Sequence, residues 1–306
     1  MRLKNKMETE NNDFDAKITP IHFRVSYLAG WNDCPKRGAT GVLRNELQAM
    51  GYELNTRSNN VSGAIGTASH AGIKAYLEGL KTETAVVSKA VDAGILNFQE
   101  QSAEGLEFDA TSPDGNAAEI QIKAIVNTYV FAITDGWDAL PQDIVLEKRL
   151  EATITPTVIG GIQYQFTLSG QPDIVIGGTV IRDIKTGKSA EHYHAQLGGY
   201  SLLCKAMGET VPETCVVDHI QRMKPSKQEP KRWCGEAKSY EYPAALCETE
   251  ARAVFSSASY QIARFLSSGD IGIFPCNISS MLCSNKYCSA YGTDFCPVSQ
   301  TLKAKI

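Results

Sequence analysis

The segment Gly170–Lys188, GQPDIVIGGTVIRDIKTGK, constrains this chain more than any other part of it. Two short β-branched runs flank Gly177-Gly178, a pair that signals a hairpin. Side chains on a strand alternate faces, so Asp183 and Lys185 project together while Ile184 points into the core. A turn of odd length, such as 177–179, brings Asp173 opposite Asp183 on the shared face. An even two-residue turn without a bulge sends Asp173 to the other side of the sheet. With the odd turn, two carboxylates and an ammonium converge, an arrangement that holds a hard divalent cation beside a scissile phosphate. Taken alone, D-x-K is common, and a surface hairpin with a fortuitous salt bridge explains it more readily.

At 306 residues the chain can bury a sizeable core, either as one large domain or as one domain with extensions. Hydrophobic content of 43% and charged content of 21% are those of an ordinary globular protein. The net charge of −4 leaves no global basic footprint, so a nucleic-acid partner has to be met by a local groove. No apolar run reaches the roughly 18 residues that cross a bilayer. The opening MRLKNKMETENNDFDAK has no apolar h-region, so residues 1–20 are expected to be a flexible tail and the protein cytoplasmic. In that reducing compartment the nine cysteines are expected as thiols or metal ligands, not disulfides.

The spacing predicts helices over 66–80, with Thr67 as a candidate N-cap, and over 84–103 and 116–134. Beyond Pro141 the period changes. Residues 143–154 and 162–169 read as an antiparallel pair around a Pro156/Gly160-Gly161 turn, and 171–176/180–185 as a hairpin extending that sheet. A helix from about 190 to 207 ends at Gly208, 214–222 forms a strand, 224–239 an exposed Lys-rich loop, and 245–267 a helix. Strands within a helical surround imply a mixed α/β fold with one central sheet.

Three further constellations carry chemistry. Gln196 and Tyr200 are spaced i, i+4 on the helix that follows the D-x-K strand, where a polar pair can position a substrate or water. In isolation they read as a half-buried helix turn. His70 in GTASH can complete a divalent metal's shell, although a lone helical histidine is more often packed or solvated. The stretch CSNKYCSAYGTDFC sets Cys283, Cys288 and Cys296 in C-x4-C-x7-C spacing, which argues for metal in an intracellular chain. A fourth thiolate is available from nearby Cys276 or from distant Cys34 in NDCPKRG, and four thiolates suit an iron–sulfur cluster or structural zinc. Cys204, Cys215, Cys234 and Cys247 read as incidental buried residues.

In this order the pieces SYLAGWNDCPKR (Ser26–Arg37), GTASH (Gly66–His70), SGQPDIVI (Ser169–Ile176), IRDIKTG (Ile181–Gly187), QLGGY (Gln196–Tyr200) and CSNKYCSAYGTDFC (Cys283–Cys296) form one set. Over residues 26–296 the chain resembles the PD-(D/E)XK nuclease superfamily, in particular its RecB-like branch with a four-cysteine iron–sulfur cluster. That branch includes the AddB nuclease domain, CRISPR adaptation nucleases and phage exonucleases. The resemblance implies a restriction-endonuclease-like α/β core spanning 21–300. Within it, 21–140 is mostly helical, 141–225 forms the catalytic sheet core, and 226–300 carries a helix and the cysteine cluster.

The resemblance assigns Mg²⁺ or Mn²⁺ to His70, Asp173, Asp183 and the Ile184 carbonyl, with Lys185 catalytic and Gln196 and Tyr200 as the motif after it. It assigns a [4Fe–4S] centre to Cys34, Cys283, Cys288 and Cys296, zinc being the alternative. The implied activity is a DNA exonuclease of recombination, repair or phage DNA processing, with DNA ends or single strands as substrate and recombination or helicase proteins as partners. The other reading is an iron–sulfur or zinc DNA-binding or assembly subunit without turnover. Two departures stand out. Asp183 sits where many relatives carry Glu, and the C-x4-C-x7-C spacing is loose enough for Cys276 to compete with Cys283. Glu147 in VLEKRLE could assist the site, with Glu151 equally in phase.

Overall fold

The computed structural model describes residues 19–56, 59–134, 143–159, 162–187 and 193–303. Strand β1 (Thr19–Arg24) opens the fold, so Thr19 and Pro20 belong to a strand and not to the expected tail. Residues 1–18 lie outside the described residues. Three short helices follow: α1 (Ser26–Asp33), α2 (Pro35–Val42) and α3 (Arg44–Ala49). Pro35 occupies the first turn of α2, where a missing N–H costs nothing.

Helices α4 (Val61–Lys81), α5 (Val87–Ser102) and α6 (Gly115–Tyr129) form a second helical layer. The start expected at Gly66-Thr67 is one turn and more too late. Asn60 is the cap, its side chain accepting the Gly63 N–H at 2.9 Å, and Thr67 sits inside the helix with its hydroxyl donating to the Gly63 carbonyl. Asp114 caps α6 by accepting from the Ala117 N–H at 2.8 Å, and α6 runs on into one π-helical turn over Val130–Thr134.

The remaining strands are β2 (Ile144–Leu146), β3 (Leu150–Ile159), β4 (Ile162–Gly170), β5 (Ile174–Ile176), β6 (Val180–Lys185), β7 (Thr214–Arg222) and β8 (Cys234–Pro243). They build two mixed sheets rather than the single sheet expected, in the orders β1-β4-β3 and β2-β5-β6-β7-β8. β1 runs parallel to β4 and β6 parallel to β7; the other pairs are antiparallel. Helices α7 (His194–Ala206), α8 (Ala244–Ser268) and α9 (Pro297–Lys303) complete the chain. The α/β class is as expected, with helices on both sides of the larger sheet.

Three local expectations change. Residues 143–154 are not one strand, because Glu147 takes a left-handed φ of 48° and divides β2 from β3; β2 then pairs with β5 in the other sheet. The segment 224–239 is a loop only to Trp233, since β8 starts at Cys234. The expected N-terminal end of the helix at 190 falls among residues 188–192, outside the described set.

Two apolar clusters sandwich the larger sheet. Val175, Ile181, Cys215 and Val217 face α7 and α8, while Ile174, Ile184 and Ile220 face α4, α5 and α6. Asp183 has the parity of Ile181, so the alternation that builds the core also turns this acid toward α7. Each fully buried aliphatic side chain contributes about 1.5–3 kcal/mol to holding the layers together. Among the described residues, no helix is long and apolar enough to cross a membrane.

Candidate functional site

The turn between β5 and β6 is the three residues Gly177, Gly178 and Thr179, with Ile176 facing Val180 and Ile174 facing Arg182. Both glycines have positive φ, 57° and 70°, a conformation L side chains rarely adopt. One step further along this register, Asp173 stands opposite Asp183. The odd turn length is therefore realised.

Each acid is held from two sides. Asp173 Oδ2 accepts the Ile184 backbone N–H at 2.6 Å, and Oδ1 lies 3.2 Å from His70 Nδ1 on α4. The Glu147 N–H donates to the Asp173 carbonyl at 2.9 Å, so the kink between β2 and β3 is fastened to this acid. Asp183 Oδ1 is reached by Gln196 Nε2 and the Tyr200 hydroxyl, both at 3.4 Å, while Gln196 donates to Tyr200 at 3.0 Å. The Tyr200 hydroxyl also lies 3.3 Å from the Gln171 carbonyl. Its ring rests against Gly170, where a Cβ would come within 2.8 Å of Cε1. β6 itself is locked from its opposite face, where Arg182 grips Asp218 with two hydrogen bonds of 2.9 and 2.7 Å.

Lys185 Nζ lies against Asp183 Oδ2 and 4.8 Å from the Tyr193 ring centroid. Asp183 Oδ2 is buried, and the Lys185 ammonium is the group that meets it. Among the described residues, no group of three His, Cys, Asp or Glu side chains stands in a ready metal-holding arrangement. Lys185 and His70 occupy the places of counter-charge instead. Donor chemistry nonetheless fits a hard cation: two adjoining carboxylates and an imidazole.

The charges bear this out. Burial pushes the Asp183 carboxyl up, and Asp173 adds to the rise against the pull of Lys185. Burial also works on Asp173, but His70, the Ile184 N–H and Lys185 together hold its carboxyl below the usual range. For Lys185 burial is outweighed by Asp183, so its ammonium is held more tightly than usual, and for His70 burial is outweighed by Asp173 in the same sense. The site is thus two acids of opposed tendency beside a retained cation, a pattern that clusters at functional sites.

Two cleft lobes meet at this cluster, since His70 and Lys185 line both. One, of about 510 Å³, includes Arg24, Ser26, Arg149, Ser169 and Gln171; the other, of about 640 Å³, includes Ser62, Thr67, Lys74, Glu78, Glu147 and Thr186. Ile184 lines the second lobe with its backbone N–H already committed to Asp173. Glu147 pairs with Lys74, whereas Glu151 on β3 lies 3.5 Å from Arg149, which precedes the strand. Sequence reasoning missed Lys74, Tyr193, Arg24 and Arg149. The i, i+4 spacing of Lys74 from His70 and the alternation of I-H-F-R-V-S in β1 carried usable signals for two of them.

The second constellation also assembles. Cys34, Cys276, Cys283, Cys288 and Cys296 line one small pocket with Lys36 and Arg37. All are free thiols, and Cys276 meets Cys296, Sγ to Sγ 3.5 Å. The Asn277 N–H donates to Cys34 Sγ at 3.5 Å. Burial, followed by contact with Cys296, pushes the Cys276 thiol up to about 12. Lys36 is buried with its ammonium 4.6 Å from the Phe295 ring centroid, and burial lowers its pKa against the pull of Cys296, Cys276 and Cys34. This donor set fits a thiolate-held metal group. Cys204, Cys215, Cys234 and Cys247 are buried elsewhere, as expected.

A candidate exonuclease from Eubacterium rectale superposes with a TM-score of 0.44 at 11% identity over 86% of each chain. An alkaline exonuclease from Laribacter hongkongensis gives a TM-score of 0.25 at 15% identity, over 64% of this chain and 91% of that one. Both likenesses are loose. No curated protein matches the sequence. The profile of the PD-(D/E)XK nuclease superfamily, by contrast, matches residues 26–290, a span that takes in His70, Asp173, Asp183, Lys185, Gln196 and Tyr200, and the chain belongs to that superfamily.

Proposed function

We propose that the protein is a metal-dependent deoxyribonuclease of the RecB-like branch, acting as an exonuclease on DNA ends or single strands in recombination, repair or phage DNA processing. The observation that carries this reading is the β5–β6 register, which sets Asp173 opposite Asp183 with Lys185 on the same face of β6. Asp173, Asp183, His70 and the Ile184 carbonyl would hold Mg²⁺ or Mn²⁺, which when bound neutralises the phosphate and acidifies a water. Gln196 and Tyr200 reach Asp183 through Oδ1, and Oδ2, which Lys185 meets, would be the oxygen offered to the metal. Lys185, which lies against Asp183, would help position or deprotonate that water, or donate to the charge growing on phosphorus. Cleavage joins the water oxygen to phosphorus and breaks the bond from phosphorus to the leaving oxygen.

Cys34, Cys283, Cys288 and Cys296 would hold a [4Fe–4S] centre, with structural zinc as the other thiolate-bound choice. Such a group would staple the α1–α2 junction to the segment before α9, supplying folding energy. Residues 21–300 then act as one nuclease unit in the cytoplasm, with recombination or helicase proteins as partners.

The test is digestion of end-labelled single- and double-stranded DNA, linear against circular, in Mn²⁺. The parent is expected to shorten linear DNA and spare circles. Asp183→Asn and Lys185→Met are expected to fall by at least about 10²-fold. Undiminished cleavage by either variant sinks the site assignment, and DNA binding without cleavage in any metal favours an assembly subunit.

A further inference from the structure

Five thiols surround the cysteine pocket, one more than a four-ligand group uses. Two of them stand apart from the rest in geometry. Cys276 and Cys296 touch at 3.5 Å between sulfurs, without a disulfide. A contact of that length is an S–H···S interaction in which either sulfur can donate.

A cube of iron and sulfide spreads its four cysteine ligands over four separate iron corners. As placed, two sulfurs 3.5 Å apart are too close together to occupy two corners. They can, however, reach the same corner from either side. Their backbones are independently fixed. Cys296 lies at the start of α9, its N–H donating to the Thr293 carbonyl at 2.9 Å. Cys276 precedes Asn277, whose side chain donates to the Asp33 carbonyl at 3.0 Å. Exchange between them needs only rotation about each Cα–Cβ bond. Lys36 stays beside the pocket whichever sulfur is charged.

We propose that Cys276 and Cys296 are alternative ligands for a single coordination position, with Cys34, Cys283 and Cys288 supplying the other three. The competition expected between Cys276 and Cys283 therefore falls between Cys276 and Cys296. This rests on the reading of the cysteines as cluster ligands given above. A mononuclear zinc makes the opposite demand: tetrahedral Zn–S bonds of about 2.3 Å place thiolates about 3.8 Å apart, so both members of the contact pair would bind together.

The experiment measures iron, sulfide and zinc per chain, with visible absorbance, in anaerobically purified full-length protein. Alanine variants are used because alanine cannot ligate. Cys276→Ala and Cys296→Ala are each expected to keep at least half the parent's metal with an unchanged absorption band. The double variant and each of Cys34→Ala, Cys283→Ala and Cys288→Ala are expected to keep less than one fifth. Circular dichroism follows folding, and if the double variant unfolds, the two single variants decide the matter. Loss of metal from Cys296→Ala alone overturns the proposal but leaves the cluster reading standing. Zinc in the parent, lost from both single variants, overturns it in favour of the mononuclear site. A metal-free parent overturns the proposal and the cluster reading together.

Discussion

The Ile184 backbone N–H donates to Asp173 Oδ2 at 2.6 Å, tying the first acid of the site to the strand that carries the second. A hydrogen bond to a carboxylate contributes about 1.5–3 kcal/mol, enough to set the acid's rotamer before any ligand arrives. Asp173 sits one residue before β5, where the Glu147 N–H holds its backbone and this bond orients its carboxylate.

Arg24 is exposed and lines the lobe beside the two acids. If a DNA strand crosses that lobe, Arg24→Gln removes one phosphate contact. The expected result is a slope of log K against log salt that is shallower by about one unit. Fluorescence anisotropy in Ca²⁺ across a salt series measures it. An unchanged slope would place the strand elsewhere. Single-turnover cleavage at saturating DNA is expected to stay within about twofold, since the contact is uniform binding.

Asp109 accepts from Arg222 at 2.9 and 3.3 Å and from the backbone N–H groups of Thr111 and Ser112. These bonds hold its carboxyl well below the usual carboxylate range despite burial. A carboxyl depressed in the folded state contributes stability above its unfolded pKa and loses it as pH falls toward the folded one. Asp109→Asn is expected to cost about 2–3 kcal/mol at pH 7, discounted from the fully buried case because the pair is 10% and 18% exposed. The gap between variant and parent is expected to narrow steadily below about pH 4 in urea titrations. A gap that is constant from pH 7 to pH 3 would refute the linkage.

Glu147 carries a left-handed φ of 48° at the junction of β2 and β3. For an L side chain this conformation costs about 1–2 kcal/mol, a cost glycine avoids. Glu147→Gly is expected to melt above Glu147→Ala by about that margin, although both lose the pair with Lys74. Equal melting temperatures would mean the junction relaxes to negative φ in the variants.

Gly198 is where α7 meets α8. A Cβ there would stand 1.9 Å from the Cys247 carbonyl oxygen, which is backbone and cannot rotate away. Gly198→Ala is expected to destabilise by about 3 kcal/mol or more, read from the denaturation midpoint. A loss below about 1 kcal/mol would show that the two helices can slide apart.

The larger sheet's chemistry was legible because it depends on alternation. Asp183, Lys185 and the odd turn follow from spacing two residues at a time, and the sheet obeys that spacing. The helix face holding Gln196 and Tyr200 followed from the i, i+4 rule. The division into two sheets was not legible, because it turns on the single backbone angle at Glu147, and no residue type announces it. The cap of α4 was misplaced because Thr67 and Asn60 are both good capping residues, and only the Gly63 N–H selects between them. The contact between Cys276 and Cys296 arises from a fold in the chain over twenty residues with little periodic structure, which spacing alone cannot resolve.

The cysteine pocket joins residue 34 to residues 276–296, and so the first helices wait on a segment more than 240 positions downstream. At roughly 5–20 residues per second, that is about 12–50 s of translation. During that interval the acids at 173 and 183 have already been synthesised, while the segment that meets Cys34 is still missing. Synthesis order therefore acts as a timer: the two acids are made early, and the contact between the α1–α2 junction and the cysteine segment closes late.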